Sequence, residues 1–186
     1  MYSNQIKMTK NNIFLRITED LDESLGLILE KIKQLGIQDN TYVIYMPDNG
    51  SVPNIPGAKK YTKSYNFPLR RGKWDALEGG LRVPLIIAGP GIENGNESQI
   101  PVSGSDISPT IKDIAGKSNF KLNEIDGGSF KSILLDPTKV EVKEVDGIFF
   151  HLPYKNGIGL KRLHSAVRKG DFKLVKLSRQ WRVVSL

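Results

Sequence analysis

Ile13, Ile17, Leu21, Leu25, Ile28, Ile32 and Leu35 recur at spacings of three and four, the period that lines side chains along one face of an α-helix. Glu23, Glu30, Lys31 and Lys33 fall off that stripe and are expected to face water. Asn11 or Asn12 offers a capping oxygen at the start, and Gly36 stands where helices commonly end on a left-handed residue. Next comes Tyr42-Val43-Ile44-Tyr45-Met46, a β-favouring and almost wholly apolar run, as in a short strand buried on both faces. Helix, tight turn and buried strand together predict an α/β unit with a mainly parallel sheet. The strand stops at Pro47-Asp48-Asn49-Gly50. Ligands of open α/β sheets collect at the carboxyl ends of strands, so this turn is the first candidate site.

Residues 51–73 form a long irregular stretch containing Pro53, Pro56, Gly57 and Pro68. Loops of that length within a domain are usually functional or mobile. Glu78-Gly79-Gly80-Leu81-Arg82-Val83-Pro84 leads into a second predicted buried strand, 85–88, which Gly89-Pro90-Gly91 breaks. Ser105 or Asp106 is the predicted cap of a short helix through Pro109, Ile111, Ile114 and Ala115, with Gly116 as its stop. Residues 121–144 are polar and read as a linker or as a loop with a short helix. Ile148-Phe149-Phe150, Ala166-Val167-Arg168 and Phe172-Lys173-Leu174-Val175 read as strands, the last two joined by a hairpin turn at Lys169-Gly170-Asp171.

Composition narrows the class. With 39% hydrophobic and 25% charged residues the chain is globular rather than disordered. No apolar run approaches the roughly 18 residues of a membrane span, and residues 1–10 lack the apolar middle of a secretory signal. Cysteine is absent, which excludes disulfides, zinc-thiolate sites and a cysteine nucleophile in this chain. Lys and Arg number 27 against 20 Asp and Glu, a net charge of +7, which permits a polyanion partner. Lys155, Lys161, Arg162, Arg168, Lys169, Lys173, Lys176, Arg179 and Arg182 concentrate that charge near the end, opposed there by Asp171. No nucleic-acid fold signature accompanies them, so nucleic acid is not the expected partner.

Two clusters carry candidate chemistry. Asp48 and Asn49 are adjacent hard oxygen donors, suited to Ca2+ or Mg2+, although Asp-Asn-Gly alone is more often simply a turn. Lys73, in Leu69-Arg70-Arg71-Gly72-Lys73-Trp74, is one of three cations near a glycine that suit a sulfate or phosphate, or merely a solvated basic loop.

In combination, Asp48-Asn49-Gly50 after a strand, then Pro68-Leu69-Arg70-Arg71-Gly72-Lys73, then Glu78-Gly79-Gly80-Leu81-Arg82-Val83-Pro84 resembles the sulfatase family of the alkaline-phosphatase superfamily. Asp22-Glu23-Ser24-Leu25-Gly26, Asp106-Ile107-Ser108-Pro109-Thr110, Phe149-Phe150-His151-Leu152-Pro153 and residues 166–174 agree with it in order, along nearly the whole chain.

The resemblance implies part of an α/β/α sandwich over residues 1–120, then a linker and a small C-terminal antiparallel β subdomain over 121–186. It implies hydrolysis of sulfate esters of small molecules or glycans, beside one divalent cation, Ca2+ or alternatively Mg2+. Asp48 and Asn49 would be metal ligands, Lys73 would bind the sulfate and assist the leaving group, and His151 would face the substrate pocket. Glu78 and Arg82 look like scaffold. Family members are often periplasmic, secreted or lysosomal.

The family's formylglycine motif, two further aspartate ligands and its upstream lysine and histidine pairs have no counterpart here. Ser51-Val52-Pro53 continues as Asn54-Ile55, without the required arginine. The expectation is therefore the C-terminal portion of a sulfatase, inactive by itself, with a frameshift suspected at Trp181-Arg182-Val183-Val184-Ser185-Leu186. A polyanion-binding module and a phosphodiester or phosphonate hydrolase of the same superfamily are the alternatives. Asn49-Gly50-Ser51 and Asn96-Glu97-Ser98 also fit the glycosylation acceptor pattern.

Overall fold

The first helix, α1 (Ile13–Gln34), forms where the spacing of apolar residues places it. Its end is built as a Schellman motif: Gly36 adopts φ +65°, its N–H donates to the Lys33 carbonyl at 3.0 Å, and the Ile37 N–H reaches Ile32 O at 3.3 Å. The capping asparagines predicted at 11 and 12 lie outside the residues that this computed structural model describes, which are 13–52, 66–117, 126–139, 147–153, 163–177 and 180–185. The apolar stripe is present but largely open to solvent: Ile17 is 60% and Leu21 50% exposed, and Leu25 and Ile32 are half-buried.

The described residues fall into two compact units, one comprising 1–73 and 79–90, the other 74–78 and 91–186. In the first, β1 (Val43–Tyr45) pairs with β2 (Ile86–Ala88), with Ile44 opposite Ile87. The pairing is antiparallel. This departs from the mainly parallel sheet predicted from the sequence, and no parallel pair occurs among the described residues. Apolar runs report burial, not direction, and the long connection between these strands leaves either direction open. β1 is half-buried and β2 exposes Ile86 and Ala88, so neither strand is buried on both faces as predicted. The Tyr42 hydroxyl closes the far end by donating to the Pro90 carbonyl at 2.7 Å. A short helix, α2 (Glu78–Leu81), precedes β2; its first residue, Glu78, is counted with the second unit.

In the second unit, α3 (Gly104–Ile114) begins two or three residues earlier than predicted. Ser103 is its N-cap, and Asp106 sits three residues in, accepting the Ser103 N–H at 2.6 Å. Asp106 is buried and its other oxygen accepts the Gly128 N–H at 2.8 Å. Thr110, also buried, accepts the Phe130 N–H at 3.1 Å. These two side chains dock the segment leading into α4 (Lys131–Leu135), the short helix foreseen as one option for the polar stretch.

The remainder of this unit is a four-stranded antiparallel meander. Its strands are β3 (Ile148–Leu152), β4 (His164–Lys169), β5 (Phe172–Leu177) and β6 (Gln180–Ser185), each paired with the next. Gly170, at φ +55°, makes the two-residue turn between β4 and β5. The antiparallel C-terminal sheet predicted from the sequence is thus present. Residues 180–185 form a regular strand, with Leu174 opposite Val183.

Register puts Ile148, Phe150 and Leu152 on the same face as Ala166 and Val175. Ala166 and Val175 are buried, as are Ala76, Leu77, Phe130 and Ile133, so the apolar core of the described residues lies in the second unit.

Candidate functional site

The turn at the carboxyl end of β1 is held by backbone contacts that only glycine permits. The Gly50 N–H donates to the Gly80 carbonyl at 3.0 Å. A Cβ on Gly50 would fall 1.8 Å from the Gly79 carbonyl oxygen, and one on Gly79 would fall 2.3 Å from Arg71 O. The Asp-Asn-Gly turn and the Glu-Gly-Gly motif, distant in sequence, are therefore packed backbone against backbone.

The loop bearing Lys73 joins the same assembly. The Lys73 N–H donates to Ser51 O at 3.0 Å, and the Gly79 N–H to Arg70 O at 2.9 Å. Asn66 organises the rest. Its carbonyl oxygen accepts the Ser51 N–H at 3.0 Å, while its amide nitrogen donates to Ser51 O and to Arg71 O, both at 2.9 Å. No local signal marks Asn66 in the sequence, because an asparagine in a long polar loop stands out only once its partners are known.

Arg71 and Trp74, on either side of Lys73, adopt φ 64° and 72°. Such left-handed geometry in bulky residues costs roughly 1–3 kcal/mol each and persists only where neighbours enforce it.

Asp48 is exposed, Asn49 and Lys73 are half-buried, and all three belong to the first unit. As donors, Asp48 and Asn49 suit a hard cation, but Ca2+ takes about 6–8 oxygens. Among the described residues no group of three or more His, Cys, Asp or Glu is placed to hold a metal. The pair fits as part of a calcium shell, not as a whole one. His151 belongs to the second unit, exposed on β3, with Nδ1 2.7 Å from the Ser165 hydroxyl.

One member of the basic cluster read from the sequence does not face solvent. Lys173 is 1% exposed. Its ammonium donates to the Ala76 carbonyl at 3.2 Å, pairs with Glu78 and lies 5.4 Å from the centre of the Phe150 ring. That leaves the polyanion-binding alternative without one of its cations and gives Glu78 the scaffold role expected of it.

Comparison with known proteins agrees with the motif order. A sequence profile described as Sulfatase matches residues 11–117, more than half of the chain. A sulfatase from Formosa agariphila is 32% identical over 152 residues, covering 75% of this chain and 26% of its own length. Steryl-sulfatase from Rattus norvegicus is 34% identical over 120 residues, 63% of this chain and 21% of that protein. N-acetylglucosamine-6-sulfatase from Bos taurus is 33% identical over 114 residues, 61% of this chain and 18% of that protein. The fold matches a solved structure in complex with its substrate, D-glucosamine-2-N,6-O-disulfate. There the TM-score is 0.67 and the identity 23%, covering 88% of this chain and 31% of the other. The chain thus spans about a quarter or less of the length of these curated relatives.

Proposed function

The chain belongs to the sulfatase family, and from that premise we propose that its first unit carries part of a sulfate-ester hydrolase site. In this reading Asp48 and Asn49 supply two of the oxygens around a divalent cation, Ca2+ or alternatively Mg2+. Lys73 binds the sulfate group and steadies the leaving oxygen. The cation, when bound, would neutralise charge on the sulfuryl oxygens. The Lys73 ammonium contributes charge-assisted hydrogen bonds to the same oxygens, worth more in a partly desolvated setting than in open water.

The observation that supports this most is the backbone packing of the Asp48–Gly50 turn against Gly79 and Gly80, with Lys73 N–H on Ser51 O. It draws the oxygen donors and the lysine loop into one assembly. A turn and a solvated loop with no joint role would not require it.

The substrate class is a sulfated small molecule or glycan. His151 facing the substrate is part of the same proposal, as is the division into an α/β catalytic portion at 1–120 and a linker with β subdomain at 121–186. The 186-residue chain by itself is inactive in this reading, since it has no cysteine to become formylglycine and Ser51 lacks the surrounding motif.

Titrating the isotopically labelled chain with Ca2+ and, separately, with inorganic sulfate tests the proposal by NMR. Calcium should move the Asp48 and Asn49 amides, and sulfate the Lys73 amide, each at millimolar rather than micromolar levels because the shell is partial. Lys73→Ala should abolish the sulfate response alone. Absence of both responses would overturn the site; a micromolar calcium isotherm would overturn its partial character.

A further inference from the structure

Asn-Gly occurs three times in the chain, at 49–50, 94–95 and 156–157, the last outside the described residues. This dipeptide can rewrite itself. The glycine amide nitrogen, on losing its proton, attacks the asparagine side-chain carbonyl carbon. A C–N bond closes a succinimide ring, and the side-chain nitrogen leaves as ammonia, taking up a proton. Water then opens the ring, giving aspartate or, by attack at the other carbonyl, isoaspartate. Glycine permits the first step because it has no Cβ to obstruct the attack and its backbone turns freely. The first two Asn-Gly steps are matched locally, each preceded by a carboxylate, Asp48 or Glu93. A difference between them is therefore imposed by the fold.

Their surroundings are opposite. Gly50 is half-buried, its N–H donates to the Gly80 carbonyl at 3.0 Å, and a Cβ there would lie 1.8 Å from Gly79 O. The nucleophile is thus occupied, and its peptide has no room to swing toward the Asn49 side chain. Asn94 and Gly95 are both exposed, in a turn where Gly95 adopts φ +80°. Nothing lies within 4 Å of where a Cβ of Gly95 would stand, and no backbone carbonyl among the described residues accepts its N–H. We propose that the Asn94-Gly95 turn is a modification site, converting spontaneously to aspartate and isoaspartate, and that the Gly50–Gly80 hydrogen bond protects Asn49 from the same reaction. Conversion at Asn94 adds a negative charge to the surface and, in the isoaspartate, routes the backbone through an extra carbon. That product has the chemistry recognised by a protein isoaspartyl methyltransferase. At Asn49 the meaning of the protection rests on reading that residue as a metal ligand, since a neutral amide oxygen would become a charged, displaced carboxylate.

Ageing the full chain at mildly alkaline pH tests this, read by peptide mass spectrometry and by enzymatic methylation of isoaspartate. Asn94 should convert about ten-fold faster than Asn49 or more, because Asn49 reacts only through local opening. In urea sufficient to unfold the chain the two rates should converge. Gly95→Ala should slow Asn94 and leave Asn49 unchanged. Gly79→Ala, whose methyl would meet Arg71 O, should accelerate Asn49 alone; if that variant fails to fold, the folded and urea rates of the unaltered chain decide. Equal rates in the folded chain, or an Asn94 that does not convert, would overturn the proposal. A difference that persists in urea would do so too, by assigning the contrast to local sequence. An Asn49 amide unmoved by calcium would refute the ligand reading while leaving the contrast in rates standing.

Discussion

Gly50 shows how little freedom the site leaves its backbone. A methyl group there meets the Gly79 carbonyl, not a side chain that can swing aside. Gly50→Ala is expected to lower stability by about 1–3 kcal/mol, the usual range for overpacking. Urea unfolding measures this, and an unchanged midpoint would mean that the two motifs are not packed as described. Asp136 offers a residue-scale test of electrostatics. The Thr138 hydroxyl at 2.6 Å and the Thr138 N–H at 3.0 Å both donate to its Oδ1. They hold its carboxyl below the usual aspartate value, with desolvation opposing and Lys139 assisting. Because the folded value lies below the unfolded one, near 3.9, the contribution to stability is full above the unfolded value. It is lost as pH falls through the folded one. A carbon NMR titration of Asp136 should therefore find a midpoint below that of an unstructured aspartate.

Among the elements, the ion pair between Lys173 on β5 and Glu78 on α2 is the most exacting contact. Both side chains are largely buried, at 1% and 13% exposure, and Glu78 Oε2 has no hydrogen-bond partner among the described residues. Lys173→Met should cost about 3–5 kcal/mol by stranding Glu78, and adding Glu78→Met should recover most of that loss. A double-mutant cycle from denaturant curves reads the difference; additive losses would show that the charges act separately. The sequence disclosed this level unevenly. α1 and its Gly36 stop were plain because their signals are local and periodic. β6 was missed because Leu177 to Gln180 carries no recognisable turn signature, so pairing with β5 had to be seen. The cap of α3 was misplaced because Ser103, Ser105 and Asp106 are all plausible caps by residue type, and only the hydrogen bonds choose. Asn66, His164 and Lys173 were illegible for a related reason. Each gains its role from a partner far along the chain, and a lysine in a basic stretch looks the same whether it faces water or a buried carbonyl.

For the whole molecule, family and motif order were readable from the sequence since Asp48-Asn49-Gly50, Lys73 and Glu78-Gly79-Gly80 lie in contiguous, distinctive strings. The direction of β1 against β2 was not, since it is a property of the assembled sheet. The partial span of the chain relative to its relatives leads to a prediction at this scale. Purified 186-residue chain should release no sulfate from an aryl sulfate, measured by phenol production at calcium saturation. Turnover that disappears in Lys73→Ala would require a nucleophile within these residues and would overturn that expectation.

Buried Ala76, whose N–H donates to His164 Nε2 at 3.0 Å and whose carbonyl accepts from Lys173 Nζ at 3.2 Å, has a consequence for synthesis. Its two anchors lie 88 and 97 residues downstream, whereas the hairpin of β4 and β5 is local and closes through a two-residue turn. At about 5–20 residues per second, a ribosome takes roughly 5–20 s to travel from Ala76 to Lys173. During that interval Ala76 has been made but its two side-chain partners have not. The Ala76 N–H and carbonyl therefore acquire these partners only once the β4–β5 hairpin has been made, so the C-terminal strands govern when this buried peptide is satisfied.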